Sequence, residues 1–180
     1  MTSQSSARRL QRVLSLARLD ALSMVVVAAP AALISLGVWD PAGVVVGTGV
    51  VLCGAAEWHG RARLLRRQSS GIAWLCAAQL FCLSLILAYA WNLGHRAGAE
   101  HILALLPAFT REQLAGVLPD PESLKGMLLG IQRLIAGLLA LGSLLCQGGL
   151  AFYYLRSAPA ARRVFAEPPE LIPGGESRGG

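Results

Sequence analysis

The chain has 180 residues, of which 54% are hydrophobic and only 14% charged, with a net charge of +6. So few charged groups cannot cover that much apolar surface in water, which excludes a soluble globular domain. Its basic residues, fifteen arginines and one lysine, sit between apolar runs, so membrane topology accounts for the positive charge and no nucleic-acid partner is expected.

A helix crossing the ~30 Å hydrocarbon core at ~1.5 Å per residue needs roughly 20 mostly apolar residues. Four segments meet that requirement, at about residues 21–39, 42–58, 71–93 and 127–155. The expected fold is therefore an all-α integral membrane protein, a four-span antiparallel helix bundle occupying residues 20–157.

Residues 1–19 precede the first span. Leu10, Val13, Leu14 and Ala17 recur there at helical spacing while Arg8, Arg9 and Arg12 point elsewhere. That pattern describes either an amphipathic helix lying on the inner leaflet, attracted to anionic headgroups by ~1 kcal/mol per basic side chain, or a lengthening of the first span's own helix. The first apolar run ends at Trp39 rather than at a small-residue cleavage site, so it reads as a retained anchor and not a secretory signal. Pro30 should bend it, because proline lacks a backbone donor and crowds the carbonyl four residues back; it is the candidate hinge.

The second span is glycine-rich, and at ~100° per residue Gly43, Gly47, Val50, Gly54 and Glu57 share one face. Small residues let backbones approach in lipid, so this is an expected helix contact. Glu57 is expected near the inner interface, paired with Arg61 one turn later. The string Glu57, Trp58, His59, Gly60, Arg61 gathers an acid, an imidazole and a guanidinium, groups suited to proton transfer at a lipid headgroup, but no nucleophile or metal cage accompanies them. Gln79 in the third span, with Gln132 and Gln147 in the fourth, is expected to hydrogen-bond across helices at ~0.6 kcal/mol each.

The outer connection, residues 94–126, holds two local helix signals: a capping box from Thr110 to Gln113, and the Asp120, Pro121, Glu122 start of the fourth helix. His101 to Leu106 should form a further short amphipathic piece, and His95, Glu100 and His101 match no trusted metal-ligand spacing. The fourth helix is expected to run unbroken to about Ser157, with Gly126, Gly130, Arg133 and Gly137 on one packing face. Arg133 stands near its outer end, separated from Glu57 by most of the membrane, on the order of 20 Å. Residues 158–180 are expected to be a disordered cytoplasmic tail.

Orientation follows the arginines. Arg8, Arg9, Arg12 and Arg18 precede span one, Arg61, Arg63, Arg66 and Arg67 lie between spans two and three, and Arg156, Arg162 and Arg163 follow span four, which places both termini in the cytoplasm. Trp39, Tyr89 and Trp91 then fall at the outer interface, and Trp58, Trp74, Tyr153 and Tyr154 at the inner one. The arginine, alanine and glycine bias suggests a GC-rich bacterial coding sequence and hence a bacterial inner membrane.

Cys53, Cys76, Cys82 and Cys146 all lie inside spans without a CxxC, as apolar filler. No catalytic, dinucleotide or phosphate-binding motif occurs. The expectation is accordingly a non-enzymatic subunit, without metal or cofactor, that self-associates or joins a membrane-protein partner through its glycine-lined faces. The alternative is an oligomeric ion channel or small-solute transporter with its path at the subunit interface, lined by Glu57, Arg133, Gln132 and Gln147.

Overall fold

The computed structural model describes residues 3–96, 109, 113 and 121–166. Helix α1 runs Ser3–Gly37, α2 Pro41–Leu65, α3 Ser70–Arg96 and α4 Pro121–Ser143; a π-helical turn, Leu144–Gly148, joins α4 to α5, Gly149–Ala166. No strand occurs among the described residues. The π turn keeps α4 and α5 in one rod, so four rods are each long and apolar enough to cross a membrane.

The two tight turns use one device. After α1, Asp40 donates its N–H to Ser35 O and Trp39 to Leu36 O; after α2, Gln68 donates to Arg63 O and Arg67 to Leu64 O. These are paired helix-stop bonds of the Schellman type, which place the residue after the cap in the left-handed region. That residue is Trp39 in one turn (φ 56°) and Arg67 in the other (φ 58°). Asp40 then restarts the chain: its carboxylate accepts from Ala42 N at 3.1 Å and Pro41 fills the first helical position.

Two small cores hold the rods. At the arginine-rich end, Val13 and Ala17 of α1 pack with Leu64, Ile72, Leu75, Tyr154 and Ala161; deeper in the bundle, Met24, Cys53 and Cys82 meet. Glycine sets the spacing of α2 against its neighbours. A Cβ on Gly47 would lie 2.7 Å from Ala32 Cβ, and one on Gly54 3.0 Å from Ala21 O. Between α2 and α3, a Cβ on Gly71 would fall 2.5 Å from Gly60 O. Gly43, against Ser35 and Asp40, completes the expected face on α2.

Several expectations change. The N-terminal segment is not a separate interfacial helix: α1 is continuous over 35 residues, and its stripe at Val13 and Ala17 is buried against other helices, which hides it from lipid. Pro30 lies within α1 on an exposed face and does not interrupt the helix. A Cβ on Gly126, Gly130 or Gly137 would meet no described atom within 4 Å, so this glycine face is not closely packed by the described residues, and Gly137 opens on a groove beside α3. That rod is also not uniform, since the π turn shifts the register of α5 relative to α4 by about one residue. Finally, α5 continues nine residues beyond Ser157, through Pro159, because Ala160 and Ala161 pack inward and Arg67 Nη2 donates to Val164 O at 2.8 Å. In the outer connection, Phe109 and Gln113 are helical, whereas the segment His101 to Leu106, the Thr110 cap, Glu100 and Asp120 lie outside the described residues, as does the tail from residue 167.

Candidate functional site

Each buried helix face follows its heptad-like spacing into one polar centre. On α1 the buried positions Val13, Ala17, Ala21 and Met24 flank Asp20; on α2 Cys53, Glu57, Gly60 and Leu64 form a stripe; on α3 Ile72, Leu75, Gln79 and Cys82 do the same. Where these stripes cross, Gln79 Nε2 donates to Asp20 Oδ2 at 2.5 Å and to Glu57 Oε1 at 2.5 Å. Glu57 and Gln79 are 0% exposed. One amide nitrogen therefore ties three helices together.

The fourth rod closes the centre with Tyr154, also 0% exposed. Its phenol stands beside the Glu57 carboxylate, outside hydrogen-bond geometry. Three buried oxygens, Glu57 Oε2, Gln79 Oε1 and Tyr154 Oη, have no hydrogen-bond partner among the described residues. Each carries a desolvation cost of about 1–3 kcal/mol, and more where charged. Glu57 lies eight residues before the end of α2 at Leu65, or roughly 12 Å into the bundle from the arginine-rich end.

The local salt bridge expected for Glu57 is absent. Arg61 turns the other way, donating from Nε to Leu14 O at 3.3 Å and lying over the Trp58 ring at 5.4 Å. His59 is likewise separated from Glu57, since residues two apart on a helix diverge by about 200°. Its ring is exposed, meets Trp74 edge-on at 5.1 Å and accepts from Arg63 Nε at 3.0 Å. An acid–imidazole pair at the headgroup level does not form.

Gln132 acts at the opposite end, where its amide donates to Leu93 O and satisfies a carbonyl in the last turn of α3. Gln147 sits in the π turn with its amide oxygen buried and without a partner among the described residues. Arg133 is exposed and borders a groove of about 640 Å³ between α3 and α4, with Leu87, Trp91 and Ala136. Glu57 and Gln132 are enclosed by their own protomer, so a path at a subunit interface cannot be lined by them as expected; of that set, Arg133 alone is exposed. His95 stacks on Trp91 at 3.9 Å. Cys53, Cys76 and Cys82 are buried and Cys146 is exposed, all as free thiols.

Two members of the centre were not anticipated. Asp20, just before the first apolar run, carries no expectation from sequence; its signal is its place on the stripe Val13, Ala17, Ala21, Met24. Tyr154 reads as an interfacial aromatic, yet it is its neighbour Tyr153 that remains partly exposed. Comparison with models of known protein families, with curated proteins and with solved structures finds no match.

Proposed function

We propose that this chain is a non-enzymatic subunit of a membrane assembly, and that it joins a second copy of itself through α4. The observation that carries this is the loosely covered small-residue face of that helix: Gly126, Gly130 and Gly137 share it with Arg133 and Ala140, no described atom lies within 4 Å of a Cβ built at any of the three glycines, and Arg133, Gly137 and Ala140 open on the groove beside α3. Such a face gains most from another helix, because close backbone approach, not hydrophobicity, drives association in lipid. The contrast within the protomer supports the same reading. The arginine-rich half is bolted by Gln79, whereas α4 packs mainly against α3 alone. The arginine distribution favours a cytoplasmic location for that half, and residue usage a bacterial inner membrane.

Light scattering on the detergent-solubilised protein tests the proposal. A multiple of the 18.9 kDa chain mass that falls to the monomer in Gly130→Leu, Gly137→Leu is the expected result. A monomeric wild-type protein in mild detergent rules the proposal out.

A second reading rests on the buried centre. Two carboxylates, an amide oxygen and a phenol form an oxygen-rich site of the kind that takes a hard cation or passes a proton in membrane carriers. Flux across liposomes, compared between wild type and Glu57→Gln, tests it; no flux at any pH removes it.

A further inference from the structure

We infer that the notch between the start of α1 and the start of α5's polar end binds a phosphate-bearing anion, the phosphodiester of an anionic lipid headgroup or a soluble phosphate compound. Arg8, Arg9 and Arg12 line this notch from one side and Arg156 from the other, with Tyr153 and Ser157 in its wall. Its volume is about 480 Å³, within the ~300–1,000 Å³ range of small-ligand pockets. Four guanidiniums converge from positions some 150 residues apart in sequence, and no carboxylate stands among the described residues that line the notch.

Like charges held together in this way repel unless something neutralises them. None of the four guanidiniums makes a hydrogen bond or ion pair with a described residue. The helix end lies alongside: Gln4 and Ser5 of the first turns of α1 line the notch, and that first turn carries no acidic residue to oppose an anion. The walls are not free to spread, because Val13 and Ala17 are buried against Tyr154 and Ala161 directly above. Ser157 Oγ is already committed to Tyr153 O at 2.8 Å; Gln4 and Ser5 also line the notch, and the guanidinium forks are its charged donors. A planar fork offers paired N–H donors matched to two oxygens of one phosphate, a geometry that lysine does not supply. Depth agrees as well. Helix α1 is roughly 50 Å long by its residue count, longer than the hydrocarbon is thick, so with its apolar part in the membrane the segment at Arg8 to Arg12 stands at headgroup level.

Native mass spectrometry of the full chain in detergent tests the site, with dioleoylphosphatidylglycerol, dioleoylphosphatidylcholine and sodium phosphate as the probes. The expected result is one retained phosphatidylglycerol with at least a tenfold preference over phosphatidylcholine, lost in Arg9→Gln, Arg156→Gln and kept in Arg66→Gln, a basic residue of the same end outside the notch. If inorganic phosphate binds with the same arginine dependence while phosphatidylglycerol does not, the anion is a soluble one and the site stands. Equal retention of both lipids, retention unchanged in the double variant, or no binding of any probe overturns the inference. Arg9 and Arg156 lie outside both cores, so unchanged helical circular dichroism and elution of the double variant separate loss of the site from loss of the fold.

Discussion

Gln79 and Glu57 meet at 2.5 Å in the interior of the bundle, 22 residues apart in sequence, and the same amide nitrogen reaches Asp20 at 2.5 Å. A single donor group thus serves two carboxylates for which no basic side chain supplies a counter-charge in the contacts of the site. Removing the donor is the severe change. Gln79→Leu leaves the buried Glu57 and the part-buried Asp20 without their shared donor, and the expected cost is about 1–3 kcal/mol. Glu57→Gln keeps a hydrogen-bonding group of the same shape and should cost less than about 1 kcal/mol. Thermal unfolding in detergent ranks the two, and adding Asp20→Asn and Glu57→Gln to Gln79→Leu should recover part of the loss; equal midpoints for the two single variants would show that the cluster does not hold the helices.

Glycine plays opposite parts on two helices, and alanine substitution separates them. Gly71→Ala places a methyl 2.5 Å from Gly60 O and 2.9 Å from Leu64 N, backbone atoms that move only if α2 and α3 part. A loss of about 1–3 kcal/mol in protomer stability is expected, as for other overpacked contacts. Gly126→Ala meets open space and should leave the protomer unharmed or gain up to ~1 kcal/mol from helix propensity. Unfolding midpoints of the two variants in detergent give the comparison, and a destabilised Gly126→Ala would mean that α4 is packed where no neighbour has been placed.

How much of this was readable beforehand depended on whether the deciding partner was local. The spans followed from bilayer thickness alone, and the glycine face of α2 followed from ~100° per residue, since both rules need no knowledge of a neighbour. The i,i+4 rule points Glu57 toward Arg61; its partner is Gln79 of α3, which also holds Asp20 of α1, and no local rule contains Gln79. The stripe at Val13 and Ala17 has one periodicity whether lipid or protein covers it, so it takes the packing of Leu64, Leu75 and Tyr154 against it to decide between the two. Past Ser157, Ala160, Ala161 and Val164 keep helical spacing, but alanine is a weak apolar marker beside Pro159, and the clamp from Arg67 to Val164 O spans 97 residues.

Trp39 is 90% exposed and has φ 56°, so its backbone carries the left-handed cost of roughly 1–2 kcal/mol that glycine avoids. Trp39→Gly and Trp39→Ala both lose the indole from the interface, and their difference isolates the backbone. The glycine variant should unfold at the higher temperature, by about 1 kcal/mol in stability. Equal midpoints would mean that the turn between α1 and α2 relaxes out of the left-handed conformation at no cost.

Assembly through α4 makes a positional demand that mass measurement alone does not. In a chain with its four cysteines replaced by alanine, Gly137→Cys puts a thiol on the proposed contact, and an oxidant should link it to its symmetry mate, since two-fold pairing brings a central position against itself. Leu52→Cys puts a thiol on an exposed face of α2, away from that contact, and should stay monomeric under the same treatment. A disulfide requires Cα atoms within about 7 Å, a distance two helices reach only where small residues allow it. Cross-linking at Leu52 in place of Gly137 would move the interface to α2, and the unpartnered glycines of α4 would then be left to lipid.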